Sequence, residues 1–591
     1  MKREIMQGNA AIARGAWEAG VKVAAAYPGT PSSEILQDVA DTYPEIYAEW
    51  SPNEMVAMQV ASGASIAGAR SMVSMKHVGM NVAADAFMTL SYTGIKGGMV
   101  IIVADDPNVH SSQNEQDSRH YARAAKIPML EPSDAQECKD FVVKAFELSE
   151  KYDTPVLIRL QTRVSHSRSI VEFGEPNEIE VKDYSKDVSK YVMMPAMAVK
   201  RHKIVEKRME EIMADSSEQT EAVGMHEEHI GSSELGIITS GAAYQYVKEA
   251  LPEASVLKLG MIWPLPEKRI RSFAKKVKRL VIVEELDPFF EKEILAMGIP
   301  CEGKSLLPIT GEYSTSVLRK TLNPTSTPEQ AISGSGLPVA PGRPPVMCAG
   351  CPHKGLFMAL SRLKVQVMGD IGCYTLGALP PTSAMDTCVC MGASVGMAHG
   401  FDKASDARDS RKTVAVIGDS TFLHSGVTNL INAVYNQSSV TVIILDNSIT
   451  GMTGHQQNAS TGMDIRLSPA PAISLELLCE SIGVRSIQVV DPVDTDLCRK
   501  KVKEELEKPG VSVIIARRPC ALIPTGKGPK GKYARVDKDI CTACGQCIRI
   551  MCPALTAGPD NKPVIDRETC NCCGLCVNVC PVGALSVGGD L

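Results

Sequence analysis

The chain has 591 residues, with 44% apolar and 22% charged side chains and a net charge of −6. That is the composition of a globular protein long enough for about three to five domains. The mild acidity argues against a dense nucleic-acid-binding face, and 5% aromatics leave little for stacking single strands. No apolar run approaches the ~20 residues of a membrane helix, and the opening MKREIMQGNAAIARG has no signal-peptide core. The expectation is a cytoplasmic protein with no membrane or nucleic-acid partner.

In chain order, residues 1–175 alternate helical and strand patterns. Residues 9–19 place small apolar side chains at helical spacing. Residues 21–26 form a short strand running into the turn Tyr27-Pro28-Gly29-Thr30-Pro31, and residues 99–103 and 155–159 are further buried strands. Repeated strand–loop–helix order predicts a doubly wound α/β domain. Residues 176–232 are charged, with a helix over 200–213 and an acidic stretch over 214–233, and are expected to be a solvated linker or arm. A second α/β domain is expected over 233–321, with strands at 236–239 and 280–284 around a basic helix at 266–278. Residues 322–345 have the Pro-, Gly- and Ser-rich composition of a linker. A third α/β domain is expected over 346–526, with its clearest strands at 413–417 and 440–445. A basic hinge at 527–532 leads to a tail, 533–591, dense in cysteine.

Nineteen cysteines in a large chain without a secretion signal point to metal ligation rather than disulfides, and nine of them follow residue 540. The tail reads Cys541-x2-Cys544-x2-Cys547-x4-Cys552-Pro553, then Cys570-x2-Cys573-x2-Cys576-x3-Cys580-Pro581. The second run has bacterial-ferredoxin spacing, and the first carries one extra residue before its last Cys. In such runs three thiolates wrap one cube and the fourth, before Pro, serves the other. One 4Fe–4S cluster is therefore assigned to Cys541, Cys544, Cys547 and Cys580, and the other to Cys570, Cys573, Cys576 and Cys552, leaving Cys572 spare. Zinc ribbons are the alternative, but zinc sites rarely use triple CxxCxxC runs. The tail is thus expected to be a small α+β ferredoxin domain that carries single electrons.

In the third α/β domain, Gly418-Asp419-Ser420 follows one expected strand, and Asp446-Asn447 follows the next after twenty-five intervening residues. A carboxylate and an amide oxygen at two strand ends can share a hard cation such as Mg²⁺, which prefers oxygen ligands and phosphate. The glycine permits close backbone approach to a diphosphate at a helix start. The arrangement resembles the thiamine diphosphate motif. Carried over, Gly418, Asp419, Ser420, Asn447 and the Ile449 carbonyl bind the cofactor, with Asp419, Asn447 and Ile449 on Mg²⁺. Ser420 stands where the motif has Gly and Asp446 where it has the first Asn. An ordinary turn is the alternative. Thiamine enzymes also need a Glu to protonate the aminopyrimidine. Asn53-Glu54 ahead of a small-residue helix over 55–69 resembles that segment, so the role falls to Glu54. Glu49 and Glu34 compete for it, and Glu54 could instead simply complement a helix dipole.

The order of these parts on one chain resembles the thiamine-dependent 2-oxoacid:ferredoxin oxidoreductases, in particular the alpha subunits of the indolepyruvate enzymes, over essentially the full length. The residues that carry it are Tyr27–Ser33, Cys348-Ala349-Gly350-Cys351-Pro352-His353, Gly369-Asp370-Ile371-Gly372-Cys373-Tyr374, Gly418-Asp419-Ser420-Thr421-Phe422, Asp446-Asn447 and Met452-Thr453-Gly454-His455-Gln456. The resemblance implies a pyrimidine-binding domain over 1–175, a transketolase C-terminal-like domain over 233–321 and a diphosphate domain over 346–526. It implies CoA-dependent oxidative decarboxylation of arylpyruvates to aryl-acetyl-CoA and CO2, with electrons passed to ferredoxin. A small beta subunit is implied as partner, two copies of each. Thr30 is implied to contact substrate, His77 and His455 are acid–base candidates, and Met452 replaces an Asn of the pyruvate-specific relatives. Arg119 is a guess for the substrate carboxylate. Cys348, Cys351, Cys373 and Cys520 resemble a third, proximal cluster; the other reading leaves them as core thiols, and Cys388 and Cys390 fit no cluster. The alternatives are an oxidoreductase for another 2-oxoacid, or a non-catalytic electron-transfer subunit.

Overall fold

The computed structural model describes residues 2–218, 225–323, 342, 345–404, 413–529 and 531–589. The chain divides into two compact units, Met1–Gly336 and Leu337–Leu591.

The first unit is built on a seven-stranded sheet. Its order is Met261–Trp263, Met129–Leu130, Val156–Gln161, Met99–Asp105, Ser71–Lys76, Val23–Ala26 and Tyr47–Trp50, parallel except at the first pair. The central strands Ser71–Lys76, Met99–Asp105 and Val156–Gln161 are buried throughout, as parallel strands covered by helices on both faces must be. A second sheet runs in the order Arg279–Val283, Ser232–Thr239, Ala254–Lys258, Glu227–His229, its last strand antiparallel. The two regions expected as separate domains share one core. Met58, Phe87 and Leu157 pack in the same apolar cluster as Ile238, Phe273 and Phe290, and Met261–Trp263 hydrogen-bonds onto the edge of the first sheet.

The expectation of a solvated arm is corrected over 195–218, while residues 176–189 are exposed apart from Ile179. Pro195–Glu218 is a 24-residue helix that buries Arg201, Val205, Arg208 and Ile212. Arg208 donates to the Asp153 and Ser91 carbonyls at 2.9 and 2.8 Å, and Arg201 to the Tyr92 carbonyl at 2.6 Å. The high charge density hid this, because arginine can bury its stem while its head caps orphan carbonyls. Residues 219–224 of the acidic stretch, and 324–341, 343 and 344 of the expected linker, lie outside the described residues.

The second unit holds a five-stranded parallel sheet in the order Gln366–Met368, Thr413–Gly418, Thr441–Asp446, Ser512–Arg517, Ser486–Val490. The β-branched run of Thr441–Asp446 is fully buried at its centre. The tail adds two short antiparallel pairs, Lys532–Val536 with Leu585–Gly589 and Leu555–Ala557 with Pro563–Ile565. It is anchored on the α/β part of the unit: the Asn578 amide donates to the Val493 carbonyl at 2.9 Å, and Lys354 Nζ to the Met551 carbonyl at 3.2 Å. Among the described residues no helix is long and apolar enough to cross a membrane.

Candidate cofactor and cluster sites

Parallel α/β sheets bind ligands beyond the carboxyl ends of their strands. In the first unit, Tyr47–Trp50, Val23–Ala26 and Ser71–Lys76 lie side by side and deliver Glu54, Thr30 and His77 to that edge. Glu54 opens the helix Glu54–Ile66, which is capped by Asn53 Oδ1 accepting from the Val56 N–H at 2.9 Å. The Glu54 carboxyl is 5% exposed. It presses on Gly79, where an added Cβ would lie 2.5 Å from Glu54 Oε1. The competing acids sit differently. Glu49 is half-buried and accepts from Ser51 and Tyr47, both at 2.8 Å. Glu34 accepts from the Asn9 amide at 3.1 Å, and burial is outweighed by that bond and by His166, which hold it below the usual carboxylate range. His77 is buried, with Nε2 3.2 Å from the Asn114 carbonyl.

Arg119 is corrected as a carboxylate binder for substrate. It is 1% exposed. Its guanidinium is taken up by Asp117 at 2.5 Å, Glu284 at 2.5 Å and the carbonyls of Glu285 and Asp287 at 3.0 Å. A buried Arg so completely paired holds the two sheets of the unit together.

In the second unit, Thr413–Gly418 and Thr441–Asp446 are hydrogen-bonded neighbours, which brings their two ends within reach of one cation. Asp419 is 2% exposed, with Oδ1 accepting the Ser420 N–H at 2.8 Å and Oδ2 buried without a partner. Burial, reinforced by the nearby Asp446 carboxylate, pushes Asp419 up to about 7. Asp446 is itself paired with Arg517 at 2.6 Å. The Asn447 side-chain oxygen lies 3.3 Å from Asp419 Oδ1 and 2.8 Å from the Ile449 carbonyl; turned over, its nitrogen would donate to both. Asp419, the Asn447 amide and the Ile449 carbonyl are thus grouped, and the buried Asp419 Oδ2 lacks a partner, a donor set that suits a hard cation. The residues therefore fit Mg²⁺. Ser420 Oγ accepts from Thr450 at 2.9 Å. His455 lies in the following turn with φ 68° and is half-buried, and Met452 is exposed on the same turn.

Asp370 and Tyr374, both within the Gly369–Tyr374 motif, also shape the site. Asp370 accepts backbone N–H groups from Ile371, Gly392 and Ser394 at 2.9, 2.9 and 3.0 Å. Tyr374 Oη accepts the Gly418 N–H at 2.9 Å. Asp370 thus ties the loop 369–374 to residues 392–394, and Tyr374 ties it to the Gly418-Asp419 turn. The signal in the sequence was a second Gly-Asp after a short strand, Gln366–Met368.

The tail cysteines line two cavities. One is lined by Cys541, Cys544, Cys547 and Cys580. The other is lined by Cys552, Cys570, Cys573 and Cys576, with Cys572 and, from the α/β part, Cys351. Burial pushes the Cys576 thiol up to about 12, with Cys573, Cys570 and Cys552 adding to it. Burial raises the Cys351, Cys373 and Cys520 thiols, with Cys348 adding to each. Thiols crowded out of water stay protonated unless a bound cation takes the charge. The Cys373 sulfur is 3.6 Å from a Cβ placed at Gly451, on the Asn447 turn, and the Cys520 N–H donates to the Asn447 carbonyl at 2.9 Å. Cys388 and Cys390 are exposed beside Asp370.

Fold and site define a thiamine-diphosphate-type oxidoreductase subunit with an iron–sulfur tail. Residues 14–232 match the pyruvate flavodoxin/ferredoxin oxidoreductase thiamine diphosphate-binding family, residues 370–516 the C-terminal TPP-binding domain of thiamine pyrophosphate enzymes, and residues 563–586 the 4Fe-4S binding domain. The chain is 41% identical to indolepyruvate oxidoreductase subunit IorA of Methanothermobacter thermautotrophicus, over 98% of this chain and 96% of that one. It is also 41% identical to subunit IorA of Archaeoglobus fulgidus, over 94% and 93%. Among solved structures, a 2-oxoglutarate:ferredoxin oxidoreductase from Magnetococcus marinus aligns at 17% identity and a TM-score of 0.44, over 51% of this chain and 61% of that one. The chain belongs to the indolepyruvate oxidoreductase subunit IorA family.

Proposed function

We propose that this chain is the catalytic subunit of a cytoplasmic indolepyruvate:ferredoxin oxidoreductase, converting arylpyruvates and coenzyme A to aryl-acetyl-CoA and CO2 while two electrons pass singly to ferredoxin. A small beta subunit is its partner, two copies of each. The observation that carries the reading is the sequence of sites inside the second unit. Cys373 and Cys520 touch the Asn447 turn that faces Asp419, and Cys351 lines the cavity of Cys552, Cys570, Cys573 and Cys576. These contacts support a path from the Asp419 site past the Cys373 and Cys520 thiols to the tail, as single-electron transfer away from a reacting centre requires.

In this reading Asp419, Asn447 and the Ile449 carbonyl hold Mg²⁺, and Gly418 and Ser420 sit against the diphosphate. Thiamine diphosphate, when bound, supplies a nucleophilic carbon and a sink for the electron pair released on decarboxylation. Glu54 hydrogen-bonds the aminopyrimidine and moves its proton; burial keeps that exchange away from bulk water. Thr30 faces the substrate, and His77 and His455 serve as proton donors or acceptors. Cys541, Cys544, Cys547 and Cys580 hold one 4Fe–4S cluster, Cys570, Cys573, Cys576 and Cys552 the second, and Cys348, Cys351, Cys373 and Cys520 a third beside the cofactor. Anaerobic reduction of ferredoxin or viologen by the purified complex tests the substrate. Arylpyruvates are expected to exceed pyruvate in kcat/KM, since burying an indole yields a few kcal/mol at ~25 cal/mol per Å². A preference for pyruvate or 2-oxoglutarate would instead assign the chain to another 2-oxoacid.

A further inference from the structure

With Arg119 locked in its ion pairs, the first unit needs another cation if a 2-oxoacid is to be held at its strand-end edge. Lys76 is the last residue of Ser71–Lys76, the strand between Val23–Ala26 and Met99–Asp105. On one side lies the Tyr27–Pro31 turn, where a Cβ on Gly29, the neighbour of Thr30, would sit 3.0 Å from Lys76 Cβ. On the other lies the loop after Asp105, whose Ser111 carbonyl accepts from Lys76 Nζ at 2.5 Å. Three residues on, Gly79 meets the Glu54 carboxyl.

Lys76 is 7% exposed. An ammonium has three donors, yet among the described residues this one has a single hydrogen-bond acceptor and no ion-pair partner. The nearest acid, Asp106, is occupied by the Ser111 N–H at 2.9 Å and by the Ser112 and Thr162 hydroxyls at 2.5 and 2.7 Å. Burial accordingly lowers Lys76 to about 8. The Asp106 carboxylate opposes that shift without reaching Lys76 by a hydrogen bond; a buried lysine with no carboxylate in direct contact is costly, and an arriving carboxylate would lower that cost.

We propose that Lys76 is the residue that binds the carboxylate of the 2-oxoacid substrate, holding it between the Thr30 turn and the 106–112 loop on the Glu54 side of the sheet. The inference rests on the functional reading above. It adds the cation that reading leaves unassigned, and it requires the Ser111 carbonyl to give up or share its donor when substrate enters.

The test uses the complete complex, with indolepyruvate as substrate and two competitive inhibitors, 3-indolepropionate and its primary amide. In the wild type the acid is expected to inhibit at a concentration about 10-fold or more below the amide, as for a charge-assisted hydrogen bond. Lys76→Met should raise KM for indolepyruvate by about the same factor and abolish the difference between acid and amide. Thiamine diphosphate affinity, read by calorimetry, should stay at the wild-type value, and Lys76→Arg should restore part of the discrimination. Equal inhibition by acid and amide in the wild type overturns the proposal whatever the variants do, and so does retained discrimination in Lys76→Met. A wild-type complex that turns over no 2-oxoacid overturns the functional reading first, and the proposal with it.

Discussion

Glu54 packs against Gly79, where a side chain would collide with the carboxyl: an added Cβ would lie 2.5 to 2.8 Å from its Oε1, Cγ and Cδ. Glu54→Gln keeps the shape and removes the proton, so kcat is expected to fall by about 100-fold or more, the scale of a lost general acid–base group. Thiamine diphosphate affinity should be unchanged. Gly79→Ala adds a methyl group 2.5 Å from Oε1 and should depress kcat by moving the same carboxyl. Steady-state kinetics with calorimetric cofactor titration checks both variants. Normal kcat in Glu54→Gln would return the role to Glu49. Burial separates these acids, and it is not written in their spacing: Glu54 starts a helix beside a neighbouring helix, whereas Glu49 lies within an edge strand.

At the scale of elements, the 195–218 helix is held at its end by His226, whose Nε2 lies 2.9 Å from Ser216 Oγ. Burial, with the Arg269 guanidinium nearby, lowers the imidazole from its ordinary 6.5 to about 3. The folded chain therefore keeps His226 neutral where the unfolded chain protonates it. Stability is complete above pH 6.5 and falls as pH drops from there toward 3, with a slope of up to about 1.4 kcal/mol per pH unit. Scanning calorimetry of the purified chain at pH 7 and pH 5 should show a smaller fall in Tm for His226→Gln than for wild type. An equal fall in both would mean that the helix end draws nothing from a neutral histidine.

For the whole molecule, the question is how many iron centres lie along the second unit. Cys348, Cys351, Cys373 and Cys520 come from three separate places: the entry to the helix His353–Leu363, the turn after Gln366–Met368 and the segment beyond Ser512–Arg517 supply them. Their mutual crowding supports a third cluster. Iron analysis of the anaerobically purified chain should give about twelve irons rather than about eight, at four per cluster. Cys373→Ala should remove about four of them and leave the spectroscopic signals of the tail intact. A wild-type value near eight would make these four cysteines core thiols.

The chain's own order of residues determined the strand–helix alternation, the Gly418-Asp419 and Asp446-Asn447 spacing and the grouping of tail cysteines, because these are local features with fixed periods and short closures. The expected strands at 413–417 and 440–445 differ by a residue from Thr413–Gly418 and Thr441–Asp446. Tertiary structure alone decided which charges are buried. Arg119 and Arg208 look like any surface arginine in the sequence, yet one is sealed by its chain neighbour Asp117 and by the distant Glu284, and the other by two carbonyls from segments far away along the chain. It also decided that 233–321 shares a core with the first domain, since Met261–Trp263 finds its partner strand some 130 residues earlier. Lys76 was illegible for the same reason: whether a carboxylate directly contacts a lysine is a property of the neighbours that three strands bring together, and no spacing along the chain records it.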